Sequence, residues 1–157
     1  EGTEMPKEDV SLLELAREVT ETLSDAAKLK GVSLEVCGDD GVISGVRRLL
    51  YEVVYNLCDN AIKYNKQGGY VKVSVTEQQD AVQISVSDNG IGISPEHHDK
   101  VFERFYRVDK SHSKQSGGTG LGLSIVKHAV QYHNGKITVD SDLDKGTNIS
   151  IKFDTNI

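Results

Sequence analysis

The stretch YVKVSVTEQQDAVQISVSD, residues 70–88, decides the fold class. Val71, Val73 and Val75 alternate with polar residues, and Val82, Ile84 and Val86 do the same. A period of two is the pattern of a half-buried strand, and the polar turn around Gln79 and Asp80 joins the two runs as a hairpin. Strands joined by so short a turn run antiparallel, which excludes a fully parallel doubly wound sheet. The C-terminal end repeats the device, with KITVDS and TNISIKF joined by the turn DLDKG.

Upstream of this hairpin the period changes. VSLLELAREVTETLSDAAKLKG, residues 10–31, places Leu12, Leu15, Ala16, Val19, Leu23 and Ala26 at helical spacing, with Gly31 as a stop. VSLEVCG is a short strand, and a second amphipathic helix is expected from about Val46 to Tyr64, ended by KQGG. Downstream, ISPEHHDKVFERF predicts a short helix with Ser94 as cap and Pro95 at its first position. DKSHSKQSGG is a polar loop, and a helix from about Gly120 to His133 follows. The order helix, strand, helix, hairpin, loop-rich segment, helix, hairpin predicts an α+β fold in two layers. About three helices are expected to cover one face of a mixed sheet of about five strands.

At 157 residues and 37% hydrophobic content the chain is one domain with a real core, preceded by a polar lead over residues 1–9. A net charge of −6 and a pI near 5.3 argue against a general nucleic-acid or anionic-membrane surface. No apolar run reaches the roughly 18 residues of a membrane span. Cys37 and Cys58 lack metal-ligand spacing and fit a reduced, cytosolic setting. The opening EGTEMPKEDV, with Met5 internal, is expected to be a cut from a longer protein.

The second helix has an unusual polar face. In projection at about 100° per residue, Glu52, Asn56, Asp59, Asn60 and Lys63 fall within an arc of roughly 100°. For a lone surface helix a solvated face is the simpler reading. Asn, however, is a poor mid-helix residue, and here two stand one turn apart beside a carboxylate and an ammonium. Neutral amide oxygens suit a hard cation and the ammonium suits an anion, the combination that Mg²⁺ with a polyphosphate requires. In SVSDNGIGIS, Asp88 ends a strand and Gly90, Ile91 and Gly92 follow. That is an Asn-Gly turn, or a carboxylate placed to accept hydrogen bonds from a base, with glycines that admit a ligand to the backbone.

GGTGLGLSIVKH, residues 117–128, is glycine-rich before a helix, as phosphate loops are. Gly117 and Gly122 have the P-loop interval, but Leu123 and Ser124 stand where Lys and Ser/Thr are needed. A dinucleotide fingerprint needs a strand just before its glycines, and SHSKQS is polar. What remains is a mobile loop feeding a helix N-terminus whose free N–H groups suit an anion. Lys100, Arg104, Arg107, Lys110 and Lys114 lie between the two glycine segments, either to close over a triphosphate or as ordinary surface charges.

Together these segments resemble the catalytic, ATP-binding domain of sensor histidine kinases. NLCDNAIKY resembles that family's asparagine box, DNGIGI its first glycine box, FERFYR its phenylalanine box and GGTGLGLSIVKH its second glycine box, in the family's order. The likeness runs from about Val10 to Phe153, and IKYN and FYRVDKSHS are similar to the phosphate-regulon type. The resemblance implies a Bergerat ATP-binding sandwich, shared with gyrase, heat-shock chaperone and mismatch-repair ATPases, with a mobile ATP lid over about residues 94–119. It implies Asp88 for the adenine amino group, with Thr147 and a water nearby. It implies Asn60 for Mg²⁺, with Asn56 and Glu52 completing or orienting the metal site. Lys63 and Arg107 would contact phosphates, and Tyr64 the nucleoside. The N–H groups around Gly120, Leu121 and Gly122 would cradle the β- and γ-phosphates, with Gly117 and Gly118 as hinges, and Gly118, Thr119 and the first-box residues Gly90, Ile91 and Gly92 would also contact the nucleotide.

In the related hydrolysing ATPases a glutamate one turn before the metal asparagine activates water. Here that position is Asn56, which is no base, so the resemblance implies transfer to a protein histidine over hydrolysis, with Glu52, Asn56, Lys63 and Arg107 as the catalytic set. The acceptor histidine sits, in the family, on a dimerising helical hairpin. His97, His98, His112, His128 and His133 do not match its pattern, so that hairpin is expected to be separate from this chain. Expected partners are the hairpin and, indirectly, a response regulator, with no nucleic acid and no membrane insertion of this segment. The segment is expected to be a cytoplasmic monomer of a membrane-anchored sensor. A GHKL ATPase, an anti-sigma-type serine kinase and a non-catalytic nucleotide-binding module remain as alternatives.

Overall fold

The computed structural model describes residues 5–92, 102, 122–142 and 144–155. Its strands are β1 (Glu8–Ser11), β2 (Ser33–Gly38), β3 (Val42–Gly45), β4 (Tyr70–Gln78), β5 (Ala81–Asp88), β6 (Gly135–Asp142) and β7 (Gly146–Asp154). The helices among the described residues are α1 (Leu12–Thr22), α2 (Ser24–Lys30), α3 (Arg47–Lys63) and α4 (Gly122–Tyr132). The expected short helix after Ser94 lies outside the described residues.

The main sheet has the order β2-β4-β5-β7-β6. β2 and β4 are parallel and the other pairs antiparallel, so the sheet is mixed, as expected. Alternation sorts its two faces. Val71, Val73, Val75, Ile84, Val86, Ile151 and Phe153 are buried against Leu15, Val19, Leu50, Val54, Leu57, Val126 and Val130 of the helices. The other face is polar, and its hydroxyls bond across strands: Ser85 to Ser150 at 2.8 Å, and Ser87 to the Asn148 amide oxygen at 3.0 Å. Burial of one apolar row per strand, worth about 25 cal/mol per Å², holds the layers together.

Two differences from the expected organisation have local causes. The single helix expected over residues 10–31 is two, because the chain leaves helical geometry at Leu23. The Ser24 hydroxyl bonds back to the Glu21 carbonyl at 2.9 Å, the local competition that serine offers a helix, while Leu23 stays in the core. Among the described residues four helices therefore stand where about three were expected. The polar lead, read as residues 1–9, enters a strand at Glu8: β1 pairs antiparallel with β3 in a separate two-stranded ribbon. Only Val10 of β1 and Ile43 and Gly45 of β3 are buried, so neither strand carries an apolar signal long enough to be read. Ser11 then caps α1 by accepting from the Glu14 amide at 3.2 Å.

Cys58 is fully buried on α3, and burial, followed by the charge of Asp59, pushes its thiol pKa up to about 12. Only a thiolate reacts quickly. Brief alkylation of the native chain at pH 8 is therefore expected to modify half-buried Cys37 and spare Cys58, which should react only on unfolding. Two adducts on the native protein by mass spectrometry would contradict this packing.

Candidate functional site

The polar face of α3 forms as expected. Glu52, Asn56, Asp59, Asn60 and Lys63 are all partly buried along one side of the helix, while Val53, Val54, Leu57, Cys58, Ala61 and Ile62 are in the core. Asn56 donates from Nδ2 to the Glu52 carbonyl at 2.7 Å, which leaves its Oδ1 as the outward acceptor. Gly122, the first residue of α4, stands directly against that oxygen: a methyl group at Gly122 would lie 3.1 Å from Asn56 Oδ1. The N-terminus of α4 and the asparagine row of α3 are thus neighbours. Lys63 pairs with Asp59 at 2.9 Å one turn back, and Glu52 stands 3.7 Å from Arg48. Both pairs are partly solvated and readily exchanged.

Tyr64 caps the C-terminus of α3, and its carbonyl accepts from the Ile91 amide at 3.2 Å. Gly90 packs so closely on this corner that a methyl there would come within 2.6 Å of the same carbonyl oxygen. On the other side, Asp144 donates its amide to the Ile91 carbonyl at 2.6 Å. Gly92 has φ +76°, and a side chain on it would overlap the Asp142 carbonyl. The Gly90–Gly92 loop is therefore fixed between the end of α3 and the β6–β7 turn, and Ile91 is exposed at its tip.

Asp88 closes β5 opposite Thr147 of β7. Its Oδ1 accepts from the Gly90 amide at 2.8 Å. Burial raises its pKa above the ordinary carboxylate value, and hydrogen bonds from the Gly90 and Thr147 backbones oppose that rise. Thr147 Oγ1 is 2.9 Å from Ser141 Oγ, which donates to the Gly146 carbonyl at 2.8 Å. With its one proton so used, Ser141 accepts from Thr147, and the Thr147 hydroxyl keeps its lone pairs for another donor.

The structure thus gathers Tyr64, Asp88, Gly90, Ile91, Gly92 and Thr147 in one place, with Asn56 meeting Gly122 further along α3. Arg107, Gly118, Thr119, Gly120 and Leu121 lie outside the described residues, as does the expected lid apart from buried Phe102. Two residues to which the sequence reading gives no site role support this corner. Asn65, 6% exposed, donates to the Tyr70 carbonyl at 2.9 Å, and Asn89 accepts from the Tyr70 amide at 2.8 Å. Each stands in a segment that reads simply as a turn, so spacing alone does not set them apart. Among the described residues no three His, Cys, Asp or Glu side chains converge. A cavity of about 470 Å³ between α4 and β6, lined by Phe102, Lys127, Val130 and Ile137 among others, shares no residue with these groups.

The family model described as "Histidine kinase-, DNA gyrase B-, and HSP90-like ATPase" matches residues 45–157. The histidine protein kinase SaeS of Staphylococcus aureus is 35% identical over 154 residues, which is 96% of this chain and 44% of the relative. The chain therefore spans less than half the length of that curated relative. Among solved structures, the mycobacterial sensor histidine kinase MprB aligns with a TM-score of 0.83 at 30% identity, covering 95% of this chain and 97% of that one. The catalytic domain of histidine kinase ThkA aligns at 0.83 and 26%, covering 96% and 97%. Full-length ShkA, in complex with AMPPNP, aligns at 0.85 and 26%, covering 99% of this chain and 33% of that one.

Proposed function

As the chain belongs to the histidine kinase-, DNA gyrase B- and HSP90-like ATPase family, we propose that it is the ATP-binding catalytic domain of a sensor histidine kinase. It binds Mg-ATP and passes the γ-phosphoryl group to a histidine on a separate dimerisation hairpin, for relay to a response-regulator aspartate. The observation that carries this reading is the corner at Asp88. A carboxylate at a strand end, held by the Gly90 amide and flanked by Thr147 and Tyr64, is an acceptor built for a base with an exocyclic amine.

The remaining roles follow the polar face of α3. Asn60 and Asn56 hold the Mg²⁺, and Glu52 orients that site. The donor set fits the ion, since Asn56 Oδ1 is left open by the bond from its Nδ2, and the absence of a side chain at Gly122 keeps the space before it clear. When bound, the ion neutralises phosphate charge. Lys63 exchanges Asp59 for a phosphate, Arg107 contacts the γ-phosphate, and the N–H groups of Gly120, Leu121 and Gly122 cradle the phosphates. Phosphoryl transfer depends chiefly on positioning and charge stabilisation, and Asn56 supplies no base for water. The acceptor is therefore a protein nucleophile, and the domain acts in the cytosol beside its hairpin.

Incubation of the chain with Mg-ATP labelled at the γ-phosphate and a matching hairpin is expected to label the hairpin histidine, as an acid-labile, alkali-stable phosphate. Nucleotide binding without such labelling would overturn the kinase reading. Steady phosphate release that disappears in Glu52→Ala would make the chain a hydrolase instead.

A further inference from the structure

His133 is 7% exposed at the end of α4, and both of its ring nitrogens are engaged. Nε2 lies 3.0 Å from the Val46 amide, and Nδ1 lies 2.7 Å from the Ala129 carbonyl. A carbonyl only accepts and an amide N–H only donates, so Nδ1 carries the proton and Nε2 is bare. The ring is neutral and held in one tautomer. Through Ala129 it adds a second hydrogen bond to a carbonyl that already accepts from the His133 amide at 3.2 Å. Through Val46 it takes the amide of the residue that opens α3, which has no side-chain cap of its own.

The ring is closely surrounded. A methyl on Gly45 would come within 2.8 Å of both Cδ2 and Nε2. The rings of Tyr132 and Phe153 stand edge-on at 5.3 and 6.3 Å. At the opposite end of α4, Gly122 abuts Asn56 of α3. α4 thus meets α3 at each of its own ends: His133 accepts from Val46 at the start of α3, and Gly122 approaches Asn56 in the middle of α3.

We propose that His133 is a positioning residue for the nucleotide site: neutral, it clasps α4 to the start of α3 and so holds Gly122 against Asn56, and a proton on Nε2 opens the clasp. The proposal rests on the reading of Asn56 and Gly122 given above. A proton on Nε2 would set donor against donor at Val46 and leave a buried charge unpaired. Burial lowers the pKa of the ring below its ordinary 6.5; the bond to Ala129 raises it, and the charge of Lys7 lowers it. Among the described residues the charged and titratable groups at the ring are Lys7, from the segment before β1, and Tyr132 beside it, over whose ring the Lys7 ammonium sits at 5.7 Å. β3, α3 and β7 contribute Gly45, Val46 with Leu50, and Phe153, none of which titrates. With a lowered folded pKa, the clasp is fully present above the unfolded value and is lost as pH falls through the folded one.

The test is calorimetric titration of the chain with Mg-AMPPNP from pH 7.5 to below 5.5, for wild type, His133→Gln and His133→Ala. The glutamine carbonyl can accept from Val46 and does not titrate. At pH 7.5 His133→Gln is expected to bind within about threefold of wild type and His133→Ala about tenfold more weakly. As pH falls from 7.5 through the lowered pKa of the ring, with the titration carried below 5.5 until the ring protonates, wild type should lose about fivefold more affinity than His133→Gln. Asp88 and the nucleotide phosphates titrate in both proteins and cancel in that ratio. Parallel pH profiles, or a folded His133→Ala that binds like wild type, would overturn the positioning role. A wild-type chain that binds no nucleotide at pH 7.5 would instead overturn the nucleotide site itself. The wild-type chain also provides a check that needs no variant: the Val46 amide resonance must shift as the His133 ring titrates, and an amide that does not move overturns the clasp.

Discussion

Asp88→Asn is expected to weaken adenine-nucleotide binding about 100-fold, roughly 3 kcal/mol, while leaving the empty domain at least as stable as wild type at pH 7. The amide keeps an oxygen for the Gly90 N–H, which now binds Asp88 Oδ1 at 2.8 Å, so the loop needs no rearrangement. What changes is the outward atom. An NH₂ group replaces a carboxylate oxygen and faces the amino group of the base, donor against donor. The stability half follows from the raised pKa of Asp88, caused first by burial. A carboxyl whose folded pKa is raised contributes stability below its unfolded pKa, and that contribution is lost as pH rises through the folded value. At neutral pH the wild type therefore carries a disfavoured carboxylate that the variant lacks. Calorimetric titration and a melting curve measure the two halves separately. Unchanged affinity would remove adenine from Asp88, and a large fall in melting temperature would make Asp88 a structural residue.

Gly146→Ala is expected to destabilise the fold by about 3 kcal/mol or more and to lower the melting temperature by roughly 6–12 °C. Gly146 has φ +89°, in the region that side-chain-bearing residues avoid. A methyl there would overlap the Asp88 carbonyl and come within 2.8 Å of Asn89 Cα. Relief would require β5 and β7 to separate where Asp88 pairs with Thr147. Nucleotide binding is expected to fall with stability, because the same separation moves the acceptor. A Gly146→Ala chain that melts like wild type would show that the β6–β7 turn yields freely and that the corner is not tightly built. Gly68, with φ +85° but open space around it, is a useful comparison: alanine there meets only the backbone strain and should cost clearly less.

The parts of this molecule legible in its sequence are those whose pattern repeats. The valine alternation of residues 70–88 specifies two strands and their common buried face, and β4 and β5 occupy the expected residues. The polar arc of α3 was legible because asparagine is conspicuous inside a helix, and the structure keeps those side chains together. Features that depend on a single contact were not legible. β1 and β3 are four-residue strands that exist by pairing with each other, and even at the near end, where Ser11 faces Val42, 30 residues intervene. The break at Leu23 turns on one serine hydroxyl. Asn65, Asn89 and Ser141 support the Asp88 corner through bonds to Tyr70, Gly146 and Thr147, and nothing in their local sequence distinguishes them from turn and strand residues. His133 reads as one of five histidines until its two hydrogen bonds are seen.

The loop at Ile91 is tied by one bond to Tyr64 and by another to Asp144, partners that stand far apart along the chain. No contiguous peptide contains the corner around Asp88 and Ile91. It appears when the helix end, the central hairpin and the C-terminal hairpin come together. Ligand occupancy and global folding are consequently a single linked equilibrium. At a concentration 100 times its dissociation constant, a ligand of this corner adds about 2.7 kcal/mol to the unfolding free energy of the whole domain. A melting curve is then a binding assay, able to rank nucleotides without any phosphoryl acceptor in the tube.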